Sequence, residues 1–325
     1  MASPPATSIK VLILAIFDKA AAFRDDATLL VSIAGHVAID QIHSPSFATT
    51  SIGGPPTYAG LMAKQFGLDV LAVTKVGYDF PDEYIIWLSR SQLNLAPESR
   101  SNKRPTTRFR IDLQEDTRIL RLLTRCEDLE QQQLSSSDAI IVSGIANEIS
   151  SSFIEKAGKL TKFLFLDPQT ILRSFSPEGS CLIGPPRNHH LLSMATCLKA
   201  DLEEATLLTG KKDRLTAVKD LLDFGIQIVL ITGKGEVLMG TKGEYYLVAS
   251  SPSEVIDTTG AGDIFAGAFV SSLLKTADPL WASCVALAAS SLAVNQIGIS
   301  KVPHADDVLK SAESIRRSGI NRLSL

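Results

Sequence analysis

The stretch VIDTTGAGDIFAGAFVSSLL, residues 255–274, sets two glycines and two aspartates directly before a run of small and apolar residues. The run from Asp263 onward has the composition of a buried helix. The first turn of a helix carries unpaired backbone N–H groups and the positive end of the helix dipole, so it attracts anions. Glycine lets a ligand approach the backbone closely. The stretch therefore predicts an anion-binding helix start with a carboxylate beside it.

Two interpretations of Asp263 follow from the residues alone. In the first, the amides of Gly260, Ala261 and Gly262 stabilise a transferring phosphoryl group while Asp263 takes the proton of an acceptor hydroxyl. In the second, Asp263 only caps the helix, as aspartate commonly does. A dinucleotide-binding loop is disfavoured, because that fingerprint follows the first strand and needs a third glycine where Phe265 stands.

Composition narrows the class of protein. The 325-residue chain is 45% hydrophobic and 21% charged, as expected of a soluble globular protein, and its formal charge is −3. No basic block is present, which argues against a nucleic-acid partner. The four cysteines have neither zinc-site spacing nor a disulfide framework, so a cytoplasmic location is expected. The apolar run Val11–Phe17 is too short to span a bilayer, and no membrane association is predicted.

From about Thr28 onward, strand-like segments alternate with helix-like ones. This order predicts βαβ units, that is, a mostly parallel sheet covered by helices on both faces. The strand-like segments are TLLVSIAG, DVLAVTKVG, DAIIVSG, KFLFLDP and IQIVLITG. We assign residues 1–27 to an N-terminal extension, 28–310 to the globular domain and 311–325 to a C-terminal tail.

One segment breaks the parallel rhythm. Residues 106–125, TTRFRIDLQEDTRILRLLTR, alternate polar and apolar side chains around a charged turn, which predicts an antiparallel hairpin. With companion strands upstream, it is expected to form a lid over the site from about 40–52 and 104–124. Arg108 and Arg110 share one face of the hairpin and either bind a substrate phosphate or line a solvated face. An exposed lid sheet could also serve as a homodimer interface.

The segment DTTGAGDIFAGAF, residues 257–269, resembles the C-terminal signature of the ribokinase-like (PfkB) family of carbohydrate and nucleoside kinases. Other segments agree in the family's order over roughly residues 28–307. The resemblance implies a three-layer αβα sandwich with a mostly parallel central sheet and a small β-sheet lid. It also implies ATP-dependent phosphorylation, with Asp263 as catalytic base and Gly260, Ala261 and Gly262 as the anion hole.

The resemblance also assigns acceptor-binding residues. AGHVAIDQI places Asp40 where the family binds substrate hydroxyls, and GGPPTYAG places Gly53 and Gly54 at its di-glycine motif. Tyr58 stands where the family usually has an asparagine, which argues against ribose and for another polyol or a nucleoside. Asn147, after the strand of IIVSGIA, either reaches the substrate or belongs to a helix-capping loop.

Further expectations concern the donor and its ions. LKADLEEATLLTG resembles the family's Asn-x-x-Glu region, so Asp201 and Glu204 are expected to hold Mg²⁺ through water, or else are ordinary acids of a first helical turn. The residues expected at the nucleotide are Thr232, Gly233, Gly235 and Asn295. Asp257 is expected beside a K⁺-type ion.

The acceptor is open among three hypotheses. The combination of GGPPTYAG, TTRFR and LDPQ looks nearest to the inositol-kinase and nucleoside-kinase branches, which favours myo-inositol or a related carbohydrate, with a nucleoside as the alternative. A hypothesis of another class is a catalytically silent sugar- or nucleotide-binding regulator. Retention of Asp263 and its glycines argues against silence.

Overall fold

The computed structural model describes residues 28–114, 117–186, 188–251 and 255–323. The predicted N-terminal extension, residues 1–27, lies outside the described residues. The strands are β1 (Leu30–Ala34), β2 (Ala38–His43), β3 (Ala48–Gly53), β4 (Asp69–Val73), β5 (Leu93–Leu95), β6 (Arg108–Gln114), β7 (Thr117–Thr124), β8 (Ala139–Val142), β9 (Leu164–Leu166), β10 (Arg173–Phe175), β11 (Cys181–Ile183), β12 (Cys197–Asp201), β13 (Ile228–Gly233), β14 (Glu236–Thr241), β15 (Glu244–Ala249) and β16 (Ile320–Arg322). The α-helices are α1 (Pro55–Gln65), α2 (Asp82–Arg90), α3 (Ser151–Leu160), α4 (Gln169–Leu172), α5 (Leu202–Thr209), α6 (Arg214–Asp223), α7 (Ala261–Thr276), α8 (Pro279–Ala293) and α9 (Ala305–Ser318).

A ten-stranded sheet runs through the molecule in the order β16-β15-β14-β13-β12-β9-β8-β1-β4-β5. The seven strands from β13 to β5 pair in parallel, and β14, β15 and β16 extend the sheet in antiparallel fashion. Parallel strands place all their carboxyl ends on one edge, which is where ligands of open α/β sheets bind. The predicted mostly parallel sheet is confirmed.

Helices cover both faces of this sheet. In β8, Ile141 packs into the layer of α1, α7 and α8, whereas Ile140 and Val142 pack into the layer of α3, α5 and α6. Such strands are buried on both sides, which is why they read as continuous apolar runs. The two layers make this a three-layer αβα sandwich, as the resemblance implied. Among the described residues, no helix is both long and apolar enough to cross a membrane.

A separate four-stranded sheet forms the lid, in the order β3-β2-β6-β7. The predicted hairpin is present as β6 and β7, and β2 joins them in parallel pairing with β6. Phe109 and Ile111 are buried in an apolar cluster beneath the lid. Alternation along β6 therefore places Arg108 and Arg110 on the opposite face. Dimerisation through this sheet stays a prediction.

Candidate active site

The loop before α7 is shaped by close backbone packing. Gly260 has φ +73° and precedes the helix, where the Tyr58 ring occupies the space that a Cβ would need. A Cβ on residue 262 would lie 3.0 Å from Lys199 Nζ. Gly262 and Asp263 hold the second and third helical positions, whose N–H groups have no acceptor within the helix. The loop thus presents open amides beside a cation.

Ala261 differs from the prediction. Its amide donates a hydrogen bond of 3.1 Å to the carbonyl of Thr258, so it closes the turn inside the loop. The anion hole stays a prediction, and in this structure the Ala261 amide is engaged by the Thr258 carbonyl. The sequence could not reveal this, because it does not specify which amide donates the hydrogen bond that closes the turn.

Asp263 lies half-buried at the start of α7, 3.3 Å from Ser143 Oγ at the end of β8. Ser143 in turn accepts a hydrogen bond of 2.9 Å from Gln169 Nε2 at the start of α4. Burial and the neighbouring Asp167 raise the pKa of Asp263 to about 6, against the opposing effects of Lys199 and nearby donors. A carboxylate with this pKa is suited to accept a proton near neutral pH.

Beside Asp263, a buried cation pairs with a carboxylate. Lys199 Nζ contacts Asp167 Oδ2 at 2.8 Å, and both side chains are nearly inaccessible. Burial lowers the pKa of Lys199, but the carboxylates around it more than offset this, so the pKa is raised and the ammonium stays charged. The prediction missed Lys199. Its signal was a lysine inside the otherwise apolar strand CLKAD, since lysine is rarely buried without a partner.

On the lid side, Asp40 projects from β2 against β3. It is buried, and a Cβ on residue 53 would overlap its carboxylate, which explains Gly53. Burial raises the pKa of Asp40 to about 7, with Arg118 opposing and other carboxylates assisting. Among the described residues, none donates a hydrogen bond to this carboxylate, so it is free to receive hydroxyl groups. Gly54, with φ +88°, lets the chain pass the carbonyl of His36.

Tyr58 lies near the carboxylates of both Asp40 and Asp263. It is fully buried, and its hydroxyl has no hydrogen-bond partner among the described residues. Burial, followed by the carboxylates of Asp40, Asp257 and Asp263, raises the pKa of Tyr58 well above its usual value. The phenol is therefore neutral and can donate a hydrogen bond to a ligand.

The arginines that influence the acidic groups of the site are not the predicted Arg108 and Arg110. Arg108 Nη2 contacts Asp79 Oδ2 at 2.8 Å, which fixes the base of the lid rather than leaving the guanidinium for a substrate. Burial raises the pKa of both Asp40 and Asp263; Arg118 on β7 opposes this rise at Asp40, and Arg173 opposes it at Asp263. Arg118 shares its face with Leu120 and Leu122, both packed in the lid cluster. In the sequence, the position of Arg118 on the apolar face of the hairpin was the signal that could have identified it as a site residue.

The loop after β8 has a structural role. Glu148 is buried and accepts hydrogen bonds from the backbone amides of His36, Ile145 and Ala146. Asn147 is exposed at φ +59° and lines a cavity of about 230 Å³ with Ser150 and other residues. The Asn147 carbonyl accepts a hydrogen bond of 2.7 Å from Arg125 Nη2, and a substrate role of its side chain stays a prediction.

The predicted nucleotide residues occupy two places. Thr232 and Gly233 end β13, and Gly235 forms the following turn with φ +70°. Asn295 lies exposed just after α8, where it lines a cavity of about 960 Å³ between α8 and α9. Ser250 connects the two places, since its Oγ donates to the Gly235 carbonyl and lies 3.1 Å from Ser291 Oγ in α8.

The predicted magnesium residues cap α5. The Asp201 side chain accepts from the Glu204 amide at 2.7 Å, and Glu204 accepts from the Asp201 amide at 2.9 Å. Burial, followed by the neighbouring Asp167, raises the pKa of Glu204 to about 7. Carboxylate oxygens suit Mg²⁺, so the donor set fits. Among the described residues, no group of three His, Cys, Asp or Glu side chains is placed to hold a metal ion.

Asp257, the predicted neighbour of a monovalent cation, is fully buried. Its Oδ2 lies 3.0 Å from Lys301 Nζ, and its Oδ1 accepts from the Thr259 amide at 2.8 Å. The sequence prediction did not include Lys301. A protein cation therefore stands at the position expected for an ion.

Comparison with known proteins places these features in a family context. The model of the pfkB family of carbohydrate kinases matches residues 38–305. A cytidine kinase of Thermococcus kodakarensis is 25% identical over 73% of this chain and 86% of that protein. An inositol 3-kinase of Zea mays is 24% identical over 70% of this chain, and the match spans only 60% of that protein.

Solved structures agree on the fold. A pyrophosphate-dependent kinase in the ribokinase family, complexed with a pyrophosphate analog and myo-inositol, superposes with a TM-score of 0.75. The match covers 86% of this chain and 99% of that one at 19% sequence identity. At that identity the likeness concerns the fold alone.

Proposed function

The chain belongs to the pfkB family of carbohydrate kinases, and from that membership we propose that it transfers the terminal phosphoryl group of ATP to a hydroxyl of myo-inositol or a related small carbohydrate. One observation carries the proposal. Asp263 sits half-buried at the start of α7, next to open backbone amides and to the cation of Lys199, with its pKa raised to about 6. This is the arrangement that phosphoryl transfer to an alcohol requires.

The acceptor side supports a polyhydroxylated ligand. In the part of the chain that the structure describes, Asp40 offers a buried carboxylate to which no side chain or amide donates, and Tyr58 offers a buried hydroxyl without a hydrogen-bond partner. Each would be satisfied by a hydroxyl group of a bound polyol, and a buried polar group without a partner is costly. The relative named an inositol 3-kinase supports the same class of acceptor. The relative named a cytidine kinase supports the alternative, a nucleoside.

The proposed chemistry needs alignment, charge neutralisation and a base. Asp263 takes the proton of the attacking hydroxyl, and Ser143 holds its carboxylate in place. The amides near Gly260 and Gly262, with the dipole of α7 and the Lys199 ammonium, stabilise negative charge on the phosphoryl oxygens. Arg118 and Arg173 add positive charge around the acceptor.

Magnesium belongs to this proposal because the donor set fits it. Glu204 and Asp201 would hold the ion through water, at the corner where the acidic groups are in excess. When bound, Mg²⁺ supplies charge neutralisation on the donor phosphates. The nucleotide is proposed to lie along the β13–β14 turn, at Thr232, Gly233 and Gly235, toward Asn295.

An acceptor and donor screen tests the proposal. We expect phosphorylated product, detected by mass spectrometry, from myo-inositol or a related polyol with ATP and Mg²⁺. Ribose, cytidine and adenosine form the competing arms, and pyrophosphate replaces ATP in a second series. If only nucleosides are phosphorylated, the acceptor proposed here is wrong and is a nucleoside. If product forms only with pyrophosphate, the donor proposed here is wrong and is pyrophosphate.

A matched pair of variants checks the base. Asp263→Asn should abolish turnover, whereas Asp213→Asn, which removes the carboxylate that caps α6, should leave it unchanged. Equal activity in both variants would reduce Asp263 to a helix cap. Binding of ATP or inositol without turnover in any arm would favour the silent regulator instead.

A further inference from the structure

Lys301 carries a fully buried charge beside the loop of residues 257–262 that leads into α7, here called the anion-binding loop. Its side chain and that of Asp257 are both 0% exposed. Lys301 Nζ donates to Asp257 Oδ2 at 3.0 Å and to the Asp257 carbonyl oxygen at 3.2 Å. An ammonium buried without partners would be strongly unfavourable, so these two contacts are what permits its burial.

The contacts reach the anion-binding loop through Asp257. The second carboxylate oxygen of Asp257 accepts the Thr259 amide at 2.8 Å, one residue before Gly260. The Asp257 amide is tied to the Val294 carbonyl at 3.1 Å. Asp257 therefore fixes the loop at one end, and the ammonium neutralises the residue that does so.

Tyr58 links the same ammonium to the loop by a second route. Lys301 Nζ lies 5.8 Å from the centre of the Tyr58 ring, within the range of a cation–π contact. The same ring packs against Gly260. The ring thus contacts both the cation and the backbone that leads into α7.

A K⁺-type ion does not fit beside Asp257. Such an ion needs several oxygen ligands, and the carboxylate and carbonyl oxygens of Asp257 that face this space are both bound by the ammonium. The charge of Lys301 already balances that of the carboxylate. A second cation within a few ångströms would be repelled with little screening, because the groups are buried. Lys301 therefore occupies the place beside Asp257 where the sequence analysis expected a K⁺-type ion.

We infer that the Lys301 ammonium is the resident cation of this loop, and that it makes phosphoryl transfer by this chain independent of monovalent metal ions. The second part of this inference, the independence of catalysis from monovalent metal ions, rests on the proposed function. Lys301 acts through Asp257 and Tyr58 and is a positioning residue. Burial lowers the pKa of Lys301, and Asp257 opposes this by stabilising the charged form.

The unmodified protein gives the first test. Turnover and thermal unfolding are measured in KCl, NaCl, CsCl and tetramethylammonium chloride at equal ionic strength. We expect kcat/KM to agree within about twofold across the salts and Tm to be the same in each, because the cation is covalently supplied. Activation by K⁺ well beyond that range, or a K⁺-specific rise in Tm, overturns the inference.

Variants give the second test. In tetramethylammonium chloride, Lys301→Ala should lose at least about tenfold in kcat with the acceptor KM little changed, since the loop acts on the transition state. KCl or NH₄Cl should restore part of that loss and raise the Tm of the variant alone. The exposed residue Lys242, in the turn after β14, provides the control Lys242→Ala, which should behave as wild type. Full activity of Lys301→Ala without any added cation overturns the inference.

The two proposals fail separately. If no acceptor is turned over, the proposed function fails, while the salt dependence of Tm in wild type and in Lys301→Ala still tests the cation. If turnover is found and K⁺ stimulates the wild type, the kinase assignment stands and only the resident cation is wrong.

Discussion

The Tyr58 ring packs on the backbone of Gly260 so closely that a Cβ at residue 260 would overlap ring carbons Cδ2 and Cε2. Gly260 also has φ +73°, a conformation that favours glycine. One contact therefore joins the helix that carries Tyr58 to the loop that presents the open amides. The position of Tyr58 and the shape of the loop are consequently interdependent.

The first prediction concerns Gly260→Ala. The methyl group must displace the Tyr58 ring, so we expect loss of about 100-fold in kcat/KM from misaligned amides. Gly210→Ala is the matched control, because Gly210 has the same φ of +73° but open space around it. Both variants should lose about 1 kcal/mol of stability from backbone strain, Gly260→Ala should lose roughly 1–3 kcal/mol more from overpacking against the Tyr58 ring, and only Gly260→Ala should lose activity. Equal activity loss in both would point to strain alone.

The second prediction is a pH profile. Burial and Asp167 raise the pKa of Asp263 to about 6, and the base must be ionised to accept a proton. The acid limb of kcat/KM should therefore bend near pH 6 in the free enzyme, with activity falling as pH decreases. Measurement over pH 5–9 with a non-ionising acceptor checks this. A limb near pH 4 would mean that Asp263 is far more solvated than in this structure.

The third prediction separates function from stability at Asp40. Because burial raises the pKa of Asp40 to about 7, the ionised carboxylate destabilises the fold above that pH. Asp40→Asn should therefore raise Tm at pH 8 by about 3 °C, and this gain should shrink as pH falls from about 7 towards 4 and disappear below about pH 3, where both folded and unfolded wild type are protonated. Acceptor KM should rise about tenfold in the same variant, since hydroxyl groups lose their acceptor. Thermal scans at both pH values and initial rates measure the two effects.

The fourth prediction concerns Glu148, which gathers three backbone amides. Burial alone would raise the pKa of Glu148, but His36 and these amides lower it overall. Its stabilisation is present at neutral pH and is lost as pH falls through its folded pKa. Glu148→Gln should cost about 2 kcal/mol at pH 7 and leave acceptor KM unchanged. A large rise in KM with normal stability would instead support the predicted substrate role of this loop.

Much of the fold could be predicted because its signals are local. The alternating apolar runs gave the parallel strands, and the charged turn between β6 and β7 gave the hairpin. The strand β12 was not predicted, because Lys199 interrupts its apolar run and acquires its partner, Asp167, only in the folded chain. Lys301 and Asp257 are likewise 44 residues apart, and no local pattern reveals their pairing. Side-chain roles that depend on such long-range pairs need the structure.

The last prediction uses two arginines on one strand. Arg118 and Arg121 are three positions apart on β7 and so project from opposite faces of the lid. Arg118 shares the face of Leu120 and Leu122, while Arg121 shares that of the exposed Ile119. Because Arg118 lowers the pKa of Asp40, its removal should shift that pKa upward and weaken acceptor binding.

We therefore expect Arg118→Met to raise acceptor KM about tenfold and Arg121→Met to leave it unchanged. Both substitutions remove one positive charge from the same strand, so a general electrostatic effect would move both variants equally. Only Arg118→Met should also move the pH dependence of acceptor KM toward higher pH. If Arg121→Met produces the larger effect, the lid must present its other face to the acceptor, and the assignment of Asp40 would need to be revised with it.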